Sequence, residues 1–251
     1  MQLNNTAAIV TGAASGLGAA TAEALARAGA QVFGFDLPAA TEHAHATDRI
    51  TYVPVDVTDA DQVTAAVAAA GVEVPLRTVV NCAGIGPSAR ILGKDGPHDL
   101  ALYAKVVQVN LIGTFNVLAL AAERIAATEP LEHGQRGVVV NTASVAAYEG
   151  QVGQIAYASS KGGVVALTLP AARDLAQHGI RVNTIAPGII ETPMLASVSE
   201  EYRARLANGV PFPQRLGRPE EYAQLVLSIV EHDYLNGEVI RMDGALRMSP
   251  R

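Results

Sequence analysis

The stretch that leaves the fewest folds open is Thr11-Gly12-Ala13-Ala14-Ser15-Gly16-Leu17-Gly18, entered by an apolar run over 6–10 and left by an Ala-rich segment over 19–29 that closes on glycine. Hydrophobic patterning reads it as strand, glycine turn and helix. That succession is the unit from which a doubly wound α/β sheet is built. Gly12, Gly16 and Gly18 let the backbone turn sharply and approach a pyrophosphate, while the first N–H groups and the dipole of the helix favour the anion. A glycine turn alone is weak evidence, since a purely structural turn has the same composition. The strand before it and the helix after it favour nucleotide binding.

The same rhythm repeats along the chain. A strand over 31–35 ends at Asp36, eighteen residues after Gly18, where a dinucleotide fold places its ribose reader. A carboxylate there accepts from the adenosine 2′-hydroxyl and repels a 2′-phosphate, so Asp36 favours NAD over NADP. Leu37 and Pro38 follow, with no basic residue to hold a phosphate. The alternative is an Asp that caps the next turn. A strand over 51–55 leads to Asp56-Val57, with Thr58 expected as N-cap of a helix over 59–70. Asp56 either accepts from an adenine amine or organises its own loop. The fourth strand, over 78–80, runs into Asn81-Cys82-Ala83-Gly84. Ligands of such sheets lie at the carboxyl ends of the strands, so this segment and the glycine turn face one cofactor. Cys82 has no His or base near it in sequence and reads as a small buried residue beside that cofactor.

Residues 85–102 carry Gly86, Pro87, Gly93, Gly96 and Pro97 and read as a surface excursion that shapes a substrate pocket. A long helix over 103–127 follows with Asn110 in its middle, where Asn either faces solvent or bonds something specific. The fifth strand, over 137–142, leads to Ser144, whose hydroxyl is placed to bond a substrate carbonyl. The next helix, over 155–177, contains Tyr157 and Lys161 four residues apart, which puts phenol and ammonium on one face. A cation beside a tyrosine lowers its pKa from about 10, and Tyr157 then serves as general acid or base. Gly162-Gly163 point to close contact with a neighbouring element or subunit, and Pro170 to a bend. A sixth strand over 180–185 ends in Ala186-Pro187-Gly188 with Thr192 close behind. Residues 189–212 are polar and proline-bearing and read as a lid. A helix opened by Pro219 and a strand over 238–240 complete seven strands.

At 251 residues the chain suits a single α/β domain over 1–251. Its hydrophobic fraction of 49% against 17% charged residues is apolar for a soluble protein, and the excess reads as helix-packing surface with room for subunit interfaces. A net charge of −6 provides no overall attraction to nucleic acid or an anionic membrane. The single cysteine fits a reducing compartment, and no residues stand at metal-ligand spacing. The first basic residue is Arg27, and apolar runs such as 112–122 fall short of the roughly 18 residues that span a bilayer. A soluble, cytoplasmic protein is expected.

Taken in order, the glycine turn, Asn81-Cys82-Ala83-Gly84, Asn110, Ser144, Tyr157-x-x-x-Lys161 and Pro187-Gly188 make the chain resemble a short-chain dehydrogenase/reductase over essentially its full length. The stretches 141–154 (NTASVAAYEGQVGQ), 210–223 (VPFPQRLGRPEEYA) and 235–248 (LNGEVIRMDGALRM) resemble the 3-hydroxyacyl-CoA dehydrogenases within that family. The resemblance implies a Rossmann-type, doubly wound, seven-stranded parallel sheet flanked by helices. It implies NAD as cofactor and a secondary alcohol or ketone as substrate, a 3-hydroxyacyl-CoA first and hydroxysteroids second. By the same resemblance Tyr157 exchanges the substrate proton, and Lys161 lowers the tyrosine pKa and bonds the nicotinamide ribose. Ser144 holds the substrate oxygen, Asn110 supports a water relay to Lys161, and Gln151 lies near the substrate. Ser15, Leu17, Asp56, Val57, Cys82 and Thr192 line the cofactor, and the assembly is a homotetramer. Residues 85–102 and Ile190-Glu191 depart from the subgroup's pattern and bear on substrate choice. Two rivals stand beside this reading: an NADPH-dependent 3-oxoacyl-carrier-protein reductase, which Asp36 disfavours, and a non-catalytic scaffold or RNA-processing subunit, for which the Ser144, Tyr157 and Lys161 set is unnecessary.

Overall fold

The computed structural model describes residues 1–44, 46–94, 96–195 and 199–250. Residue 95 of the expected excursion, residues 196–198 of the expected lid and residue 251 therefore lie outside the described residues. Strands β1 (Ala7–Thr11), β2 (Gln31–Asp36), β3 (Ile50–Pro54), β4 (Leu76–Asn81), β5 (Gly137–Thr142), β6 (Ile180–Pro187) and β7 (Val239–Met242) form one sheet in the order β3-β2-β1-β4-β5-β6-β7. Every neighbouring pair in it runs parallel. The four central strands β1, β4, β5 and β6 are buried along their whole length. β1 and β5 accordingly read as near-continuous apolar runs, as strands covered on both faces do, whereas β4 and β6 also bury Arg77, Thr78, Arg181 and Asn183.

Successive strand residues point to opposite faces. Ile9, Val79 and Val139 enter one core layer with Val63 of α2 (Ala60–Ala69) and Ile125 of α4 (Thr114–Ala126). Val10, Val80 and Val140 enter the other with Leu25 of α1 (Gly16–Arg27) and Ile229 of α7 (Pro219–Glu231). Each such side chain, fully removed from water, contributes about 1.5–3 kcal/mol. The winding reverses beside β1, whose neighbours are β2 and β4, and this switch point is where a ligand of such a sheet sits.

Several sequence expectations are corrected. The expected long helix begins earlier, as α3 (Leu100–Val107), passes through a single π-helical segment Gln108–Gly113 and continues as α4. The whole stretch Leu100–Ala126 is long and apolar enough to cross a bilayer, with hydropathy 1.4, which counting uninterrupted apolar runs does not reveal. Its buried stripe, including Val106, Val117, Ala121 and Ile125, belongs to the protein core. Asp59, not Thr58, caps α2, accepting the N–H groups of Asp61 and Gln62 at 3.0 Å, because the Thr58 hydroxyl donates to Asp56 instead. Helix α5 (Ile155–Ala176) carries Pro170 inside a single helical span. A methyl on Gly163 would meet Leu111 of the π segment at 2.6 Å, whereas one on Gly162 would meet nothing of its own chain within 4 Å, so within the chain the expected contact is made at Gly163. The excursion contains the two-residue strands Leu92–Gly93 and Gly96–Pro97. Beyond β6 the chain leaves the sheet through Pro193–Leu195 and α6 (Glu200–Asn208) and returns at Gly217, which pairs with Ile190.

Candidate active site

The glycine turn is built by exclusion of side chains. Gly12 and Gly16 hold left-handed φ angles of 64° and 53°. A Cβ on Gly12 would stand 2.9 Å from the Ala83 nitrogen, and one on Gly18 would run into the Gly12 carbonyl. The turn therefore lies directly on the segment that follows β4. Thr11 pins the two together, its Oγ1 accepting the N–H groups of Cys82 and Ala83 at 3.1 Å each. Ser15, the N-cap of α1, makes no side-chain cap bond, which leaves the first N–H groups of the helix to an anion. These features fit a dinucleotide. Leu17, half-buried on the first turn of α1, packs against the core layer beneath. Thr192 and Pro193 lie over the turn, within 3.5 Å of where a Gly16 methyl would be.

Asp36 combines both readings of its role. Its Oδ2 accepts from Ala14 N at 2.9 Å and its Oδ1 from Leu37 N at 2.8 Å, so it organises the turn, and each oxygen keeps a further lone pair for a ribose hydroxyl. Asp56 Oδ1 takes the N–H and hydroxyl of Thr58, which is the loop-organising alternative. Val57 is buried against Gly113. At the end of β6, Pro187 accepts from Val145 N at 3.0 Å, and Gly188 donates to the Met242 carbonyl at 2.9 Å. Asn81 is turned inward instead. It is 2% exposed and donates to Asn141 Oδ1 across the strand pair at 2.9 Å, so its side chain ties the two strands together.

The catalytic candidates converge at the ends of β5 and α5. Ser144 is buried, its hydroxyl accepts from Ala146 N at 3.1 Å, and it lies beside the half-buried Tyr157 phenol. The Lys161 ammonium stands 5.8 Å from the centre of the Tyr157 ring and donates to the Thr142 carbonyl at 2.7 Å. Burial pushes Lys161 down to about 8, with Cys82 opposing. Burial also pushes the Tyr157 phenol up, with the neighbouring Ser144 hydroxyl opposing. This corrects the expectation from i,i+4 spacing: in the chain alone desolvation outweighs any help from the lysine, whose ammonium is directed at a backbone carbonyl. The Cys82 thiol is likewise pushed up by burial, in keeping with a small residue rather than a nucleophile.

Asn110 does not face solvent. It is fully buried in the π segment, and its amide accepts from Ile85 N at 2.8 Å and donates to Ile85 O and Ser160 Oγ at 2.9 and 3.0 Å. Its side chain is thus held by protein partners, with one lone pair of Oδ1 left over. The Ser160 hydroxyl passes the connection on to the Tyr157 carbonyl at 2.8 Å. Gly84 lies at this junction: a methyl there would stand 3.2 Å from Asn110 Oδ1 and 3.5 Å from Lys161 Nζ. Gln151, expected beside the substrate, directs its side-chain amide to the Ser249 carbonyl at 2.9 Å. Sequence reading missed Thr142 and Tyr222. The Thr142 hydroxyl meets the Asn81 carbonyl at 2.6 Å and the Tyr222 hydroxyl at 2.7 Å, while its own carbonyl seats Lys161. Thr142 stands two residues before Ser144, which is a signal of sorts; Tyr222, 80 residues further on, has none.

A switch-point sheet with a dinucleotide cradle and a Ser–Tyr–Lys set defines an oxidoreductase that uses a nicotinamide cofactor. The short chain dehydrogenase family model matches residues 6–203, and the chain belongs to that family. It is 51% identical over 99% of its length to a 3-hydroxyacyl-CoA dehydrogenase type-2 from Drosophila melanogaster, covering 100% of that protein. Identity to a human protein of the same name is 52% over 97% of this chain and 95% of the relative. A crystal structure of 3-hydroxyacyl-CoA dehydrogenase type-2 from Mycobacterium avium superposes with a TM-score of 0.92 at 46% identity, covering 98% of each chain.

Proposed function

We propose that the protein is an NAD-dependent dehydrogenase that interconverts 3-hydroxyacyl-CoA and 3-oxoacyl-CoA, with hydroxysteroids as secondary substrates. The observation that carries this reading is the convergence of Ser144, at the end of β5, on Tyr157 of α5, with the buried Lys161 ammonium 5.8 Å from the Tyr157 ring. Relatives that bear the dehydrogenase name and match at about half of all positions support the acyl-CoA substrate. A 3-oxoacyl-[acyl-carrier-protein] reductase of Thermotoga maritima, which bears the name of the carrier-protein rival, is 35% identical to the chain.

When bound, the nicotinamide supplies the acceptor or donor of hydride. The chain's own residues do the rest. Ser144 holds the substrate oxygen, and Tyr157 takes its proton during oxidation and returns it during reduction. Lys161, anchored on Thr142, presents positive charge beside Tyr157 and a donor to a ribose hydroxyl. Asn110 fixes the start of the 85–102 excursion to the helix that carries Tyr157 through its bonds to Ile85 and Ser160. Gly12, Ser15, Gly16, Leu17 and Gly18 form the phosphate cradle. Asp36 reads the adenosine ribose, and Asp56, Val57, Cys82, Ala83, Gly84, Pro187, Gly188 and Thr192 border the remainder of the cofactor.

We assign the assembly to a homotetramer. The outer faces of α4 and α5 enclose a groove of about 550 Å³ between Phe115, Leu118, Leu167, Pro170 and Leu175, with Phe115 57% exposed. We place the protein in the cytoplasm, a reducing compartment compatible with its free Cys82. Titrating NADH and NADPH side by side tests the cofactor, and the expected outcome is tighter NADH binding by about tenfold or more, the scale of one charge–phosphate conflict. Preference for NADPH, or no turnover of acetoacetyl-CoA, would overturn the assignment.

A further inference from the structure

The loop between the two catalytic hydroxyls is gripped from both sides. Immediately after Ser144 comes the short helix Ala146–Glu149, and Gly150 to Gln154 then lead into α5 and Tyr157. On one side the excursion holds this loop: Ala89 N and Ser88 Oγ donate to the Gly153 carbonyl at 2.9 and 3.3 Å. On the other side lies the segment after β7. Met248 N donates to Glu149 Oε2 at 3.0 Å, Gln151 Nε2 to the Ser249 carbonyl at 2.9 Å, and Val152 N to the Pro250 carbonyl at 3.1 Å. Three consecutive residues of that segment thus meet the loop in step.

Charge pairing locks this contact at its root. Glu149 receives Arg241 of β7 through both carboxylate oxygens, at 2.9 and 3.3 Å, the two-pronged geometry that gives a carboxylate–guanidinium pair directional strength. Arg241 also donates to Asp243 at 2.8 Å and to the Leu246 carbonyl at 3.1 Å, and its guanidinium lies 5.5 Å from the centre of the Tyr148 ring. Arg247 adds bonds to Asp243 at 3.1 Å and to the Leu246 carbonyl at 2.7 Å. None of these groups reaches Tyr157, yet every one fixes the path of the chain between Ser144 and Tyr157 or the segment resting on it.

We propose that the Glu149–Arg241 pair and the segment 244–250 are a specificity-determining clamp that fixes where Gln151 stands against the substrate. This rests on the reading of Gln151 as a substrate neighbour in the proposed dehydrogenase. Glu149 and Arg241 are positioning residues: they act through Gln151 and the loop, not on the reacting atoms. The excursion sets one wall of the substrate cleft and this segment the other, with the loop as the ledge between them.

The test uses the full chain and the variants Glu149→Gln, Gln151→Ala and their combination, assayed over a ladder of 3-oxoacyl-CoA lengths or over whichever secondary alcohols the wild type turns over. Glu149→Gln is expected to raise KM by about tenfold, the scale of one lost charge-assisted contact, with kcat changed by less than about twofold. The penalty should differ among ladder members, and the double variant should be no worse than Gln151→Ala alone, because both act through one side chain. NADH affinity stays at the wild-type value. Amide exchange at Val152, measured without turnover, should accelerate in Glu149→Gln as the bond to Pro250 loosens. A uniform fall in kcat across the ladder, strictly additive effects, or unchanged Val152 exchange overturns the clamp. A wild type that turns over other alcohols but no acyl-CoA overturns the substrate assignment and leaves the clamp to be judged on those alcohols.

Discussion

Tyr157 and Lys161 show how burial and spacing compete within one turn of helix. Spacing puts the cation near the phenol, but desolvation raises the phenol and brings the lysine down to about 8. Replacing Tyr157 with Phe removes the only group in the set that can exchange the substrate proton, and turnover is expected to fall by about a thousandfold while NADH binding, followed by fluorescence, is retained. Lys161 allows a separate prediction on stability. Its folded value of about 8 lies below its ordinary 10.5, so between these pH values the unfolded chain binds more protons than the native one. Native stability from this group therefore rises with pH across that window, and below it the buried charge carries its full penalty. Lys161→Met lacks the term. Urea denaturation of both proteins should show the variant gaining most on the wild type at neutral pH, with the gain shrinking by on the order of 3 kcal/mol as pH approaches 10.5.

The π segment Gln108–Gly113 is the element that joins the loop after β4 to α5. Its extra residue per turn lets the Asn110 amide reach the backbone of Ile85 on one side and Ser160 on the other, contacts that π-bulges often make at functional sites. Asn110→Ala leaves the N–H and carbonyl of Ile85 and the Ser160 hydroxyl short of a partner. A loss of about 2–4 kcal/mol is expected in thermal or urea unfolding, together with lower turnover as Tyr157 loses its support through Ser160. Retained stability would mean that the site rearranges around the smaller side chain. Nothing in the local sequence distinguishes this Asn from one that points to water, because both are mid-helix polar residues. What separates them is the position of Ile85 in space, fixed by β4.

For the whole molecule, an exposed apolar surface runs over the π segment, α4 and α5, where Ile112, Phe115 and Leu169 are exposed. Burying that surface between subunits is the driving force proposed for the tetramer. Phe115→Glu places a charge in the middle of the face. Sedimentation velocity should then show smaller species than the wild type, and an unchanged tetramer would move the interface elsewhere. A substitution on Gly162, where a methyl meets nothing within the chain, offers a second probe of the same face. Gly162→Ala should stabilise α5 by about 0.5–1 kcal/mol if solvent covers it.

Most of the architecture was legible because strand burial and glycine turns are local signals. The runs that became β1, β4 and β5 are apolar on both faces, Gly12 and Gly18 stand where no side chain fits, and Gly16 holds a left-handed φ. The cofactor cradle, Asp36 at the end of β2, and the Ser144, Tyr157 and Lys161 set follow from residue type and spacing. The sense of the Tyr157 shift, the seat of Lys161 on Thr142, the Tyr222 contact and the clamp on Gln151 did not. Each depends on how much water the fold excludes or on a partner tens of residues away, and neither quantity is written in the order of residues.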